Sequence, residues 1–204
     1  EMLQARDEVV ISYLDLLEKR LEEAKGVSDA RQEGLTLRIN EEKGWFSDHK
    51  ERVPSAGTLE DLVDDSDEAK ERFTLVEPLF YEILSTVSGG RVTDFGDRLS
   101  EVLSGIVVKV DEIRSETRDE YKFSERKLQI IDRWIFESGN RIIRSEEKQR
   151  EADLLISQLI LGRQQRPVLG YNTILLRLGE SQLFLGEASS FLKEVIREVK
   201  TAED

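Results

Sequence analysis

The chain holds one histidine, His49, and no cysteine, so its capacity for acid-base and metal chemistry rests on few groups. His49 follows the aromatic pair Trp45 and Phe46 and could serve as a general base or a pH-dependent switch. Because no serine or cysteine nucleophile occupies a recognisable setting, we favour the alternative of a residue at a helix end that caps carbonyl groups. Zinc needs more nitrogen or sulfur ligands than one histidine supplies. A di-iron bundle needs Glu-x-x-His pairs on two helices and is therefore excluded.

A run of acidic residues, Asp64 to Glu68, offers oxygen atoms to a calcium ion. An EF-hand loop requires oxygens at alternate positions, a central glycine and a glutamate at its twelfth position. Here the chain continues as a helical pattern, so we predict an acidic first helical turn favoured by the helix dipole. Ser88 to Arg91 lacks the lysine and hydroxyl ending of a phosphate-binding loop and predicts a turn. We therefore predict no catalytic, cofactor-binding or metal-binding residues, and no cofactor.

Two other features could mark a contact surface. Trp134 is typical either of an exposed binding hot spot or, as we favour, of a helix core. Gly179, Gly186 and Ser190 are small residues spaced by seven and four positions on the last predicted helix. Glycine costs up to about 1 kcal/mol in a helix interior, which indicates that something packs closely there. We expect this partner to be the fifth predicted helix of the same chain, with a second subunit as the alternative.

The charge balance narrows the classes of partner. The chain is acidic, with 43 acidic against 30 basic residues and a formal net charge of -13. Nucleic acids and anionic lipid surfaces bind clustered Lys and Arg, so we expect no nucleic-acid partner. The most apolar segment, Leu154 to Leu161, is far shorter than the ~20 residues that cross a bilayer. We therefore expect a soluble chain with no membrane span.

Apolar residues at helical spacing predict the elements that must position these groups. They indicate an all-α fold, an elongated antiparallel bundle of about six amphipathic helices whose third helix has coiled-coil heptad spacing. The predicted boundaries lie near Gly26, Pro54, Gly89-Gly90, Tyr121 and Pro167, and the predicted N-caps are Ser28, Thr58, Thr93 and Asn172. Residues 1–204 form a single predicted domain, with 1–90 and 91–204 as possible sub-units.

The inward positions follow the same spacing along each predicted helix. In chain order they include Val10, Tyr13, Leu14, Leu17, Leu21, Leu35, Ile39, Phe46, Val53, Leu62, Phe73, Val76, Phe80, Ile83, Val87, Phe95, Leu99, Val102, Val110, Ile131, Ile142, Ala152, Ile156, Leu159, Ile174, Leu178, Leu185, Ala188, Leu192 and Val195.

Two segments depart from this regular pattern. Pro78 removes one backbone hydrogen bond and clashes with the preceding turn, so we expect a kink or a break there, and a possible hinge. Arg144 to Glu151 contains good helix formers but no apolar side chain to bury. We expect the helix either to project past its neighbours at this stretch or to turn.

The N-terminal third carries a set of motifs that together resemble those of other proteins. They are Ala5-Arg6-Asp7, the predicted helix from Tyr13-Leu14 to Leu21-Glu22, Gly26-Val27-Ser28-Asp29, Trp45-Phe46-Ser47-Asp48-His49-Lys50 and Pro54-Ser55-Ala56-Gly57-Thr58-Leu59-Glu60-Asp61-Leu62. Over residues 5–73 the chain resembles uncharacterised exported all-helical proteins of candidate phyla radiation bacteria. The resemblance implies a location at the cell envelope or outside the cell and carries over no functional residue. An N-terminal signal or anchor removed ahead of Glu1 would fit that location.

Two functions follow as expectations. The first is a non-enzymatic structural or protein-interaction helical module, exported or at the cell envelope, with a protein partner or a homo-oligomer. The alternative is a carrier or sensor domain whose amphipathic helices open around an apolar ligand, with Pro78 and the stretch Arg144 to Glu151 as hinges. We expect the chain not to be an enzyme.

Overall fold

The protein is seen here as a computed structural model that describes residues 1–116, 122–160 and 166–201. Within these ranges it is all-helical and has no strand. Five α-helices occupy them, with a short 3-10 turn at Val53–Ser55; they are α1 (Met2–Glu22), α2 (Asp29–Arg52), α3 (Leu59–Arg114), α4 (Glu125–Ile160) and α5 (Pro167–Lys200). The all-α prediction is confirmed, and the expectation of about six helices is wrong.

The difference in helix number comes from Gly89-Gly90, where a helix end was predicted. α3 continues through both glycines without interruption. A Cβ on Gly90 would lie 2.5 Å from the carbonyl oxygen of Lys25 and 2.6 Å from Cγ2 of Val27. The turn that holds these two residues contains Gly26 at a φ of 71°, a left-handed conformation that favours glycine. The glycine at position 90 therefore serves close backbone approach within α3 and does not end a helix.

The other predicted boundaries have mixed outcomes. Those at Gly26, Pro54 and Pro167 are confirmed: Gly26 lies between α1 and α2, Pro54 lies in the 3-10 turn that follows α2, and Pro167 is the first residue of α5. Tyr121 lies outside the described residues. Pro78 lies inside α3, so the predicted break is wrong, while a kink or hinge at Pro78 stays a prediction.

The helix caps explain where α3 starts. Thr58 Oγ1 accepts a hydrogen bond from the Asp61 backbone N–H (3.1 Å), and Asp61 Oδ2 accepts one from the Thr58 N–H (2.8 Å). This reciprocal capping box satisfies donors that the first helical turn leaves unpaired. The predicted caps Thr93 and Asn172 are wrong, because both residues lie inside helices.

The chain divides into two compact units. Unit 1 consists of residues 1–91 and 153–175, and unit 2 consists of residues 92–152 and 176–204. The division after residue 91 lies beside the boundary predicted between 90 and 91, but the segment 153–175 was not expected in the first unit. The single-domain prediction for 1–204 stays a prediction.

Each unit has an apolar core made by the predicted helix faces. In unit 1, Leu14, Leu21, Ile39 and Ile83 are among the fully buried side chains. In unit 2, Val110, Ile131 and Val195 are buried together, and Trp134 packs against them. The preference for Trp134 as a core residue is thus supported by its contacts. Five predicted inward residues are instead exposed: Tyr13, Leu62, Phe73, Phe95 and Val102.

None of the helices in the described ranges combines the length and apolar character needed to cross a membrane.

Candidate functional site

The most unusual chemistry in unit 1 is a buried pair formed by Asp7 of α1 and His49 of α2. Both side chains are almost completely buried, and His49 Nδ1 lies 2.7 Å from Asp7 Oδ2. The other ring nitrogen, Nε2, donates a hydrogen bond to the backbone carbonyl oxygen of Asp65 in α3 (3.0 Å). The ring therefore links three helices of the same unit. His49 stands in the last turn of α2 and bonds to a backbone carbonyl, as expected of a helix-end residue that caps carbonyl groups, but that carbonyl belongs to α3.

The number of protons on the pair follows from these contacts. A carbonyl oxygen only accepts hydrogen bonds, so Nε2 carries a proton. The contact to Asp7 then needs a second proton, held between Nδ1 and Oδ2. Whichever atom holds it, the pair carries no net charge, which lowers the cost of placing both groups away from water. Asp7 Oδ1, however, is buried without a hydrogen-bond partner in the described part of the chain.

The surroundings of His49 leave no approach for a substrate. Trp45 stacks on the imidazole at a ring-centroid distance of 5.1 Å and an interplanar angle of 10°. A general base needs a free nitrogen within hydrogen-bond reach of the substrate, and both nitrogens of His49 are engaged. The arrangement positions helices and offers no proton-transfer site to the outside.

Three possible metal ligands nevertheless lie close together at this point. Ligand atoms of His49, Asp65 and Glu68 all lie within 4.8 Å of one another. The guanidinium of Arg52 already bonds to Glu68 and lies 3.9 Å from Asp65 Oδ1. Arginine is a fixed positive charge, so Arg52 offsets one of the two negative charges and already engages Glu68. The contacts within this cluster are those of an ion-pair network.

The sequence contained a signal for the Asp7–His49 pair that the search for apolar residues missed. Asp7 falls in the heptad seam 3, 7, 10, 14, 17, 21, and His49 falls in the seam 35, 39, 42, 46, 49, 53. Charged residues are costly in such positions unless they are paired. Two polar seam residues on neighbouring antiparallel helices are therefore candidates for a contact.

Glu82 is a second buried carboxylate in unit 1. Its Oε2 accepts a hydrogen bond from Arg38 Nη1 (2.6 Å), and its Oε1 lies 2.7 Å from Arg31 Nη2. The contact with Arg31 is an ion pair without an aligned hydrogen bond, since Oε1 has no hydrogen-bond partner by geometry. Nearby Asp153 lies at the surface. Partial loss of hydration raises the pKa of its carboxyl group, an effect that the positive charge of Arg31 opposes.

In unit 2, the stretch from Arg144 to Glu151 packs against other helices by polar contacts. The prediction that the helix either projects past its neighbours or turns here is therefore wrong. α4 continues through it, and Ser145 is fully buried. A directed chain of hydrogen bonds crosses the helices here. Thr93 Oγ1 donates to Gln149 Oε1 (2.8 Å), Gln149 Nε2 donates to Ser145 Oγ (3.2 Å), and Ser181 Oγ donates to the Ser145 carbonyl oxygen (3.1 Å). The two serine hydroxyl oxygens are 2.7 Å apart.

A ladder of ion pairs borders this chain on its outer side. Arg177 contacts both Glu151 and Glu180, and Lys148 contacts the same two carboxylates. The hydrogen bonds from Arg177 hold the pKa of Glu180 below its usual value, with smaller contributions from the charges of Arg177 and Lys148. The polar stretch is thereby held to α5 by charges and hydroxyl groups in place of apolar contacts.

The predicted small-residue face of α5 lines an open groove in unit 2. Gly179, Gly186 and Ser190 border it together with Leu183 and Phe191, around a volume of about 550 Å³. A Cβ added at Gly179 or Gly186 would have no described atom within 4 Å. The expectation that α4 packs closely on these glycines is therefore wrong for the described residues, and the second-subunit alternative remains. Leu183 projects from the middle of the groove and is 71% exposed.

A second groove, in unit 1, is lined by aromatic side chains. Its volume is about 320 Å³, and its lining residues are Val9, Val10, Tyr13, Phe73, Glu77, Phe80 and Tyr81. The rings of Tyr13 and Phe73 meet the ring of Phe80 edge to face at centroid distances of 4.9 and 5.9 Å. Two of the exposed residues that were predicted to be inward, Tyr13 and Phe73, are thus accounted for by one surface.

Comparisons of the chain with protein-family models, curated proteins and solved structures found no match.

Proposed function

We propose that the chain is a non-enzymatic protein-interaction module that docks a second copy of itself through the groove on α5. The observation that carries this proposal is the open space over Gly179 and Gly186 on either side of the exposed Leu183. Leu183 projects from the helix, and the glycines on either side of it leave notches in the helix surface. A two-fold symmetric pair of such faces can insert each leucine beside the glycines of the other copy.

The charges that border the groove support a second copy as the occupant. Glu187 is the acidic residue in the lining of the groove, and within the same chain it is paired with Arg141, which also lines the groove. Two copies would therefore meet without unpaired like charges at this rim. The net charge of -13 still opposes association at long range, and salt screens such repulsion. We expect the dimer to strengthen as ionic strength rises.

Sedimentation velocity over a range of concentrations tests the proposal. We expect a monomer–dimer equilibrium that Leu183→Ala weakens by at least about tenfold, as expected for the loss of a central interface side chain. Val108→Ala is the matched control, because Val108 is also exposed and in unit 2 but lies outside the groove. A chain that stays monomeric at every concentration and salt level would contradict the proposal.

A variant at Gly186 separates the dimer from the stability of the monomer. Because the space over Gly186 is open, Gly186→Ala should stabilise the monomer by about 0.5–1 kcal/mol through helix propensity. The same methyl group fills the notch and should weaken the dimer. A more stable monomer together with a weaker dimer supports docking at this face. A more stable monomer with an unchanged dimer affinity would argue against it.

The cell-envelope or exported location is part of the same proposal and rests on the resemblance over residues 5–73. Fractionation of cells that express the complete gene tests it, with recovery in the cytoplasmic fraction as the contrary result.

The second candidate function is a carrier or sensor domain for an apolar ligand. It is favoured by the groove in unit 1, where Val9 and Phe73 expose apolar surface beside buried Phe80. A ligand that binds only the folded chain raises its melting temperature. No shift with any fatty acid or other apolar ligand would contradict a carrier of such molecules.

A further inference from the structure

The groove between α1 and α3 in unit 1 has a composition that differs from an ordinary exposed apolar patch. Four of its seven lining residues are aromatic: Tyr13, Phe73, Phe80 and Tyr81. The face of an aromatic ring carries partial negative charge, which attracts a cation placed over it. A volume of about 320 Å³ lies at the lower end of the range for small-molecule sites.

Glu77 is the one charged residue in this lining, and no lysine or arginine accompanies it. Glu77 is half-buried and forms no ion pair within the described part of the chain. Elsewhere in unit 1 the half-buried and buried carboxylates do have cationic partners, as Glu42 has Arg72 and Glu82 has two arginines. The carboxylate of Glu77 thus adds a full negative charge to a surface whose rings already favour a cation.

Tyr81 of the groove is neutral, as is Tyr171, which lies beside it. Burial, followed by the negative charge of Glu77, raises the pKa of Tyr81, and burial likewise raises the pKa of its neighbour Tyr171. The ring centroids of Tyr81 and Tyr171 lie 5.3 Å apart. Both phenols are therefore protonated at neutral pH and present apolar faces with hydroxyl groups.

We propose that this groove binds a small organic ammonium ion, with the cation beside Glu77 and its methyl or methylene groups against Tyr13, Phe73 and Phe80. A fatty acid fits the apolar rings but would bring its carboxylate to Glu77. A hydrated divalent metal ion prefers several oxygen ligands, and the lining supplies one carboxylate. The inference does not depend on the α5 groove, which lies in unit 2.

The test is a titration of ¹⁵N-labelled protein with choline, followed by NMR. The neutral control ligand is 3,3-dimethylbutan-1-ol, which has nearly the same shape without the charge, and hexanoate is the anionic control. We expect choline to shift the amide signals of residues 9–13 and 73–81 and to bind at least about fivefold more tightly than the alcohol. Equal affinities for the two would overturn the proposal, as would tighter binding of hexanoate.

Two pairs of variants locate the binding energy. Glu77→Gln should weaken choline binding by about fivefold and leave the alcohol unchanged, whereas Glu71→Gln, on the same helix outside the groove, should change neither. Phe73→Leu should weaken choline binding by about two- to fivefold, the range for one cation–π contact. Phe95→Leu, a similarly exposed phenylalanine in unit 2, should not. Unchanged choline affinity in Glu77→Gln would contradict the assigned site.

Phosphatidylcholine vesicles distinguish a free ion from a lipid head group. We expect no co-sedimentation of the protein with these vesicles, because the groove is small and the proposed ligand is a free ion. Co-sedimentation without any response to choline would overturn the assignment.

Discussion

Unit 1 holds its interior polar groups as pairs of ionisable side chains, such as Asp7 with His49 and Glu82 with two arginines. Unit 2 holds them as hydroxyl and amide groups around Ser145 and Ser181. In both units these groups are buried between helices. A buried charge that loses its partner is far more costly than a hydroxyl that loses one hydrogen bond. Substitutions of a single polar residue should therefore be much more damaging in unit 1.

The largest expected effect is at Asp7. Asp7→Ala leaves Nδ1 of His49 buried without its hydrogen-bond partner and removes buried side-chain volume, and it should lower the free energy of unfolding by about 3 kcal/mol. The double variant Asp7→Leu/His49→Leu removes both polar groups and should cost less than Asp7→Ala alone. Urea denaturation of the purified variants measures both. A double variant at least as unstable as Asp7→Ala would contradict the coupling of the two residues.

The next largest effect is at Gly90, where a side chain would meet backbone atoms. Gly90→Ala places a methyl group 2.5 Å from the Lys25 carbonyl oxygen, and we expect a loss of about 1–3 kcal/mol. Gly105→Ala, in the same helix but in open space, should gain up to about 1 kcal/mol. Thermal denaturation of the two variants gives the comparison. Equal effects at both positions would show that the turn can move away from α3.

A smaller effect on stability is expected at the buried serine hydroxyl groups of unit 2. Ser145→Ala removes hydrogen bonds to Gln149 and Ser181 and should cost about 1 kcal/mol. Ser157→Ala is the control, because the Ser157 hydroxyl is exposed and bonds only within its own helix turn. A loss at Ser145 as large as that at Asp7 would remove the contrast between the units.

The smallest effects concern pH, and they have opposite signs in the two units. The folded pKa of Glu180 is lowered, so its stabilising contribution is present above its ordinary value and is lost as the pH falls through the folded pKa. The folded pKa of Asp153 is raised by partial loss of hydration, so its ionisation as the pH rises through that value destabilises the fold. Melting temperatures between pH 3 and pH 7 should show Asp153→Asn more stable than the parent at neutral pH. Glu180→Gln should be less stable at neutral pH, by a margin that vanishes in acid.

Much of the fold could be predicted because apolar side chains repeat at helical spacing in every element. Val76, Ile83, Leu178 and Leu185 are buried where that spacing puts them. Gly90 could not be understood in this way, because its close neighbours are 63 or more positions away in the chain. Local sequence favours a helix end at a glycine pair, and only the packed turn explains its position inside α3.

The candidate surfaces could be predicted less well than the helices. Gly179, Gly186 and Ser190 were correctly placed on one helical face, yet the sequence could not tell whether that face is covered. Asp7 was missed because a search limited to apolar residues skips polar seam positions. The aromatic groove could not be predicted, because Phe73 has the heptad spacing of a core residue, whereas the helices around it leave that position open.

Each unit also carries its own optical label. The chain has two tryptophans, Trp45 in unit 1 and Trp134 in unit 2, and they have different aromatic neighbours, His49 and Phe191. Trp134→Phe leaves an emission signal that reports only on the surroundings of the Asp7–His49 pair, and Trp45→Phe leaves one that reports only on the core around Ile131. Denaturation of one half of the protein can thus be followed without any attached dye.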